Sequence, residues 1–345
     1  MKGSKEFSSL NRRGFFKAAG VGLAAGVTGV PELLLRKGNL SKVWAAPQGD
    51  IPTKVLGKTG MKLTVIGFGS HVNPQNFKDP EGRVKQLRAG FDMGINLFDV
   101  YEHNYHQFEN TSKALESVRK QVIISLAWVD LDETKDKITP KIVRKVVENS
   151  LKQFKTDYID MYRFVNTMDE VQYETMLKMK EEGKIRAVGY VAHFEKEFLV
   201  ALEKYDKIDY VMFPYNPINT KAVYSKLMPI IMKREIGIVG IKPFSAGSVF
   251  KMKRDDPKLK NLKLKEGVSV AQAALKYIIN TKEMASTIPQ MNSVEELKEN
   301  LGSLKDLSLG WEERWMLEEY KNYAKRVGPS YLPSHYRWLH EQWTV

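Results

Sequence analysis

Short strand-like runs, mostly apolar, recur along this chain, at 65–70, 96–100, 122–127, 158–165, 185–192, 210–215, 237–243 and 284–289. Runs without polar alternation are the mark of parallel strands buried on both faces. Stretches at helical spacing separate them. Val84, Leu87, Arg88 and Phe91 predict a helix ending near Gly94, and further helices are predicted over 141–154, 171–182 and 269–280. In the last, Ala271, Ala274, Leu275 and Ile278 fall at i, i+3, i+4 and i+7, one apolar face. Eight strands, each followed by a helix over about 250 residues, are the signature of an α/β (β/α)8 TIM barrel. The alternative is a doubly wound sheet, but its G-x-G-x-x-G fingerprint is missing, because Gly67-Phe68-Gly69 runs on into His71 and Val72.

Both flanks of the barrel carry additions. Residues 53–64, centred on a glycine turn, predict an N-terminal β-hairpin. Residues 311–327 predict an amphipathic C-terminal helix. The tail at 328–345 is rich in aromatics, with Tyr331, Tyr336, Trp338 and Trp343 beside His335 and His340. It is too apolar to stay solvated and should pack on the barrel, over its mouth or on an outer helix. The expected organisation is a barrel over 52–310 and a packed helix and tail over 311–345.

Before the barrel stands a leader. Asn11-Arg12-Arg13-Gly14-Phe15-Phe16-Lys17 precedes a weakly apolar run at 18–30, too short and glycine-rich for a membrane span, and Val43-Trp44-Ala45-Ala46 offers a cleavage site. This resembles a twin-arginine export signal over residues 1–46, with Asn11 in place of the usual Ser or Thr. It implies the twin-arginine export machinery as a partner, a periplasmic location, and no stable membrane span after processing. The formal charge is +13, but residues 1–46 hold eight Lys/Arg against two acids, which leaves +7 for the remainder. That is a weak argument for nucleic acid, and none is expected as a partner. The chain has no cysteine, which excludes disulfides, thiolate metal sites and a cysteine nucleophile.

Chemistry gathers after the second run. Asp99 ends it, and Tyr101, Glu102, His103, Tyr105 and His106 follow, a dense set of proton-carrying groups where a buried strand opens. His103 and His106 at i, i+3 make only a weak metal motif, and no metal is expected. A second feature is the stretch 250–267, with Lys251, Lys253, Arg254, Lys258, Lys260, Lys263 and Lys265 against three acids. It follows the seventh run, where barrels commonly bind phosphate, and is either a solvated loop or an anion contact.

Seven pieces of the chain, in order, resemble the aldo/keto reductase family. They are V-L-G-K-T-G-M-K-L-T-V-I-G-F-G, I-N-L-F-D, T-D-Y-I-D-M-Y, E-E-G-K-I-R-A-V-G-Y, Y-N-P-I, I-K-P-F-S-A-G and I-P-Q-M-N-S-V-E-E-L-K-E-N-L. The resemblance implies a (β/α)8 barrel that moves a hydride between NAD(P)H and a small carbonyl or alcohol substrate. A tyrosine would donate the proton, supported by an aspartate and a lysine, with a histidine orienting the substrate. Carried over, the aspartate is Asp99. The tyrosine position falls at Asn104, so Tyr105 fills it with a one-residue insertion, and Tyr101 and His103 are the fallback donors. The lysine position reads Leu126-Ala127 and the histidine position Val165-Asn166, with Arg163 as a substitute cation or as a barrel-filling partner of an acid.

On the cofactor side the resemblance implies His193, Lys242, Phe244, Pro289, Glu299 and Asn300. The amide-binding Ser–Asn pair reads Val191-Ala192, the next strand's glutamine reads Met212, and the stacking aromatic reads Ile241. Near the last run Gln290 and Glu296 replace cations that meet a 2′-phosphate, so NADH is expected over NADPH. With the tetrad partly retained, a second function stays open: a non-catalytic barrel that binds or scaffolds in the cell envelope.

Overall fold

The computed structural model describes residues 50–70, 79–101, 106–127, 138–260, 269–340 and 343; the leader at 1–46 and Tyr105 lie outside them. The hairpin forms as its glycine turn predicts. Strand β1 (Thr53–Val55) pairs antiparallel with β2 (Lys62–Thr64), in the register Thr53↔Thr64 and Val55↔Lys62.

Seven parallel strands follow in sequence order: β3 (Leu97–Val100), β4 (Ile123–Ala127), β5 (Ile159–Val165), β6 (Ile185–Val191), β7 (Tyr210–Pro214), β8 (Gly237–Ile241) and β9 (Ser286–Thr287). The run at 65–70, expected as a strand, makes isolated parallel bridges instead. Ile66 and Gly69 bridge to Thr287 and Gln290, while Phe68 bridges to Phe98. It therefore joins the two ends of the sheet and closes the barrel in the eighth position. Its approach to the last strand needs a glycine, since a Cβ on Gly69 would lie 2.6 Å from the Pro289 carbonyl oxygen.

Helices cover the outside: α1 (Pro80–Asp92), α2 (Gln107–Leu115), α3 (Pro140–Gln153), α4 (Glu170–Glu181), α5 (Glu195–Lys204) and α6 (Leu227–Lys233). After β8 come α7 (Met252–Asp255), α8 (Pro257–Lys260) and α9 (Val270–Ile279), and after β9 come α10 (Val294–Gly302) and α11 (Trp311–Val327). Their starts follow local chemistry. Asp79, Thr139, Asp169, Ser269 and Ser293 each cap a helix with a side-chain oxygen, and Pro80 and Pro140 occupy first-turn positions where no amide donor is needed. The stretch 250–260, expected as part of a loop, contains the two short helices α7 and α8.

Strand periodicity divides the core in two. Outward residues such as Phe98, Ile124, Tyr162, Val188 and Val211 pack under helix residues Leu87, Val143, Met176, Phe198 and Leu275. Inward residues Leu97, Ile123, Met161, Ala187, Tyr210 and Val239 meet Leu56, Met61 and Leu63 of the hairpin. The hairpin thus plugs the end where the strands begin, leaving the opposite mouth for chemistry.

The C-terminal segment resolves the open question of its docking. Helix α11 buries Met316, Leu317, Tyr320 and Ala324 against Val249, Leu259 and Ala273, and Lys276 pairs with Glu313 at 2.9 Å. The chain then turns back through Gly328–Tyr331 and Ser334–Leu339 across the mouth. Trp343 buries its ring against Phe198 and Phe213, at 5.7 and 5.3 Å between centroids. Among the described residues no helix is long and apolar enough to cross a membrane.

Candidate active site

The floor of the mouth is an ion pair. Parallel register sets Asp99 beside Ser125, and Arg163 points to the same interior because its face alternates with Tyr162 and Phe164. Arg163 Nη1 donates to Asp99 Oδ1 at 2.7 Å and to Ser125 Oγ at 2.8 Å, and Nη2 donates to Asp99 Oδ2 at 3.2 Å. Ser125 and Ser70 hydroxyls donate to the two carboxylate oxygens at 2.9 and 3.2 Å. The guanidinium is 2% exposed. Burial alone would lower its pKa, but the Asp99 charge and hydrogen bonds raise it above the usual arginine value, so it stays charged.

Below this pair lies Tyr210, fully buried, whose pKa burial pushes far up. Its ring occupies the space a side chain on Gly189 would take, since a Cβ there would be 2.2 Å from the ring carbon bearing the hydroxyl. Above it, the Tyr101 ring centroid is 5.9 Å from the Arg163 guanidinium carbon. Tyr101 lines the cleft; Tyr105 and His103 lie outside the described residues, and His106 pairs with Glu109 on the exposed side of α2.

From this floor a cleft of about 990 Å³ runs along the strand ends toward α10. Asp99, His193, Lys242, Phe244, Glu299 and Asn300 all line it. Pro289 does not: its carbonyl accepts the Gly69 amide at 2.9 Å within the barrel closure, while its neighbours Ile288 and Gln290 face the cleft. Desolvation, with the Lys242 charge second, lowers the His193 pKa to about 3, so the imidazole is neutral. Burial likewise lowers the Lys242 amine to about 8. At the far end Glu296 accepts from the Asn292 amide at 2.7 Å and its side-chain nitrogen at 3.1 Å, and Gln290 donates to Asn292 at 2.7 Å.

The positions lost from the catalytic pattern are apolar or amide here. Leu126 points outward into the helix-side core, Ala127 is buried, and Val165 and Asn166 line the cleft. Met212 is buried in the inner cluster, away from the lining. Sequence reasoning missed Ser70 and Ser125, single hydroxyls within apolar runs that carry no periodic signal. It also missed Tyr336 and Trp338 as lining residues. Trp338 packs edge-on to His193 at 4.7 Å, and the Lys242 amine sits 4.9 Å from the Tyr336 ring centroid. In the basic stretch Lys251, Lys258 and Lys260 are exposed and outside the lining, which Phe250 joins; Lys263 and Lys265 lie outside the described residues.

A cleft with a cation midway, Lys242, that has no acid partner among the described residues, and two carboxylates and an amide at its end, can take an elongated ligand with an anionic middle and a hydroxylated terminus. The model described as the aldo/keto reductase family matches residues 65–319. The L-galactose dehydrogenase of Arabidopsis thaliana is 24% identical over 298 residues, covering 78% of this chain and 93% of its own. The L-glyceraldehyde 3-phosphate reductase of Escherichia coli (strain K12) is 23% identical over 331 residues, 81% of this chain and 95% of its own. Among solved structures, an aldo-keto reductase of Bacillus halodurans in its holo form superposes with a TM-score of 0.65 at 19% identity, over 78% of this chain and 96% of its own. One from Klebsiella pneumoniae, in complex with NADP and acetate, gives 0.60 at 21% identity, over 77% and 94%.

Proposed function

The chain belongs to the aldo/keto reductase family, and from that premise we propose that it interconverts a small carbonyl compound and its alcohol with a nicotinamide dinucleotide. One observation carries the reading. Asp99 on the floor and His193, Lys242, Phe244, Glu299 and Asn300 along the walls line a single cleft at the mouth of the barrel.

The residues fit the cofactor's chemistry. Lys242 brings a cation with no acid partner among the described residues, suited to the pyrophosphate. Glu299 and Asn300 suit the adenosine end, and Glu296 beside them repels a 2′-phosphate, so NADH is favoured over NADPH. The bound dinucleotide supplies or accepts the hydride. The chain's part is the proton. Tyr105 donates it to the carbonyl oxygen, while Asp99 and Arg163 form the floor of the cleft as a charge-balanced pair. The leader supports export of the folded protein by the twin-arginine machinery to the periplasm.

A second reading, a binding or scaffold barrel in the cell envelope, draws on Ala127 and Asn166 standing where the resemblance calls for a lysine and a histidine. Turnover decides between them. Oxidation of NADH across a panel of small aldehydes and ketones is expected; full occupancy by NADH with no turnover on any of them overturns the oxidoreductase reading.

A further inference from the structure

Lys242 follows β8 in the left-handed region, at φ 55°. For a lysine this is strained backbone, and it persists because its carbonyl is pinned from two sides. The buried Asn216 side chain donates to it at 3.1 Å and the Ser245 amide at 3.0 Å. The strain turns the side chain into the cleft rather than along the strand. There the amine meets the Tyr336 face at 4.9 Å, with Trp338 and His193 packed edge-on nearby and Ile241 and Phe244 in the same walls. No carboxylate pairs with it among the described residues, and the imidazole beside it is neutral. An ammonium in such surroundings has lost water without gaining a counter-charge. A desolvated amine in an apolar wall is how a lysine becomes a nucleophile.

We propose that the Lys242 amine captures a small aldehyde in the cleft as a Schiff base. The nitrogen lone pair forms a bond to the carbonyl carbon while the C=O π pair moves to oxygen. That oxygen takes both protons of the amine nitrogen, relayed through solvent, and leaves as water as the C–O bond breaks and the nitrogen lone pair completes the C=N bond, so amine and aldehyde give imine and water with no oxidant or reductant. The inference rests on the cleft admitting a small carbonyl compound. It adds to the oxidoreductase reading a covalent carbonyl site at the end of β8, open in the nucleotide-free chain where no pyrophosphate occupies Lys242, and apart from the end of β3 where the proton is expected to move.

Trapping tests it. The purified full chain is mixed with propanal and sodium cyanoborohydride at pH 7, and propylated lysines are mapped by mass spectrometry over time. An amine at about 8 has a far larger neutral fraction at pH 7 than an ordinary lysine near ~10.4, so Lys242 is expected to be tagged at least ~tenfold faster than exposed Lys178 and Lys233. Tagging at or below the rate of those two overturns the proposal. Tyr336→Ala, which admits water to the amine, is expected to slow tagging severalfold, and an unchanged rate there also counts against it. NADH oxidation with propanal, run without cyanoborohydride, separates the two ideas. Turnover without selective tagging removes the Schiff base alone, and selective tagging with no turnover of propanal or of any compound on the wider panel at full NADH occupancy removes the oxidoreductase reading alone.

Discussion

Arg163 reaches from β5 across Ser125 to grip both carboxylate oxygens of Asp99 on β3, at 2.7 and 3.2 Å. Two charges from strands that are not neighbours thus meet inside the barrel, and Ser125 of the strand between hydrogen-bonds to each. The guanidinium's charge is balanced here by the aspartate, so it is no free cation to lower a phenol's pKa. Removing one partner leaves the other buried and unpaired. Arg163→Met or Asp99→Leu should each destabilise the fold by about 3–5 kcal/mol, and the double variant should recover most of that. Urea unfolding of the three variants checks it. Single costs below about 1 kcal/mol would mean that water replaces the missing partner.

Much of this was legible in the chain. Barrel strands buried on both faces have to read as apolar runs; Asp99 stood out as a carboxylate where such a run opens into titratable residues, and Arg163 as a substitute cation or the barrel-filling partner of an acid. Period two put Arg163 on an interior face before any contact was known. Other features rest on long-range closure. Ser125 looks like one more strand residue until Asp99 is set beside it by register. Tyr336 and Trp338 could be expected to dock somewhere, but only the path of the chain beyond α11 decides that they meet Lys242 and His193. Pro289 shows the converse: a motif residue adjacent to the cleft can spend itself on barrel closure, here by accepting the Gly69 amide.

His193 gives stability a pH dependence. Its folded pKa, about 3, lies below the ordinary value of 6.5, because burial and Lys242 disfavour the imidazolium. Between those values the unfolded chain binds the extra proton, so stability is complete above about pH 6.5 and falls as the pH drops toward 3. His193→Gln should flatten the urea-unfolding profile between pH 4 and 6.5 relative to the parent, by as much as a few kcal/mol at the acid end. An unchanged slope would show that the ring finds water.

On the proposed function, cofactor preference would turn on Glu296. Its carboxylate holds the loop through Asn292 at the end of the cleft to which the proposal assigns the adenosine. NADH should bind more tightly than NADPH by tryptophan fluorescence titration, and Glu296→Arg should move the ratio toward NADPH by about tenfold, equivalent to about 1.4 kcal/mol. Tighter NADPH binding by the parent protein would point to the basic stretch after β8 as the phosphate ligand.

Under the proposed export reading, the paired arginines of the leader carry the signal. Changing Arg12 and Arg13 together to Lys should strand the protein in the cytoplasm while leaving the barrel intact, as read by fractionation and immunoblot. Equal periplasmic recovery of parent and variant would rule the signal out.

The proton donor is the most demanding prediction, because the floor of the cleft differs from the family pattern. No lysine follows Leu126, and the nearest cation, Arg163, is already balanced by Asp99. A phenol with no free cation beside it has an ordinary pKa near ~10. It can still give a proton to a nascent alkoxide, which is far more basic, but it is a poor acceptor at neutral pH. Carbonyl reduction should therefore hold steady from pH 6 to 8, while alcohol oxidation climbs with pH across the same range. Tyr105→Phe should lower reduction by roughly 10²–10⁴-fold and leave NADH affinity nearly unchanged, since the phenol acts on the substrate oxygen and not on the nucleotide. Tyr101 is the built-in control. It lines the cleft with its ring 5.9 Å from the Arg163 guanidinium carbon, close enough to serve if Tyr105 does not. A large loss in Tyr101→Phe, with full activity kept by Tyr105→Phe, would move the donor four residues back along the chain, to the tyrosine that already sits against the floor.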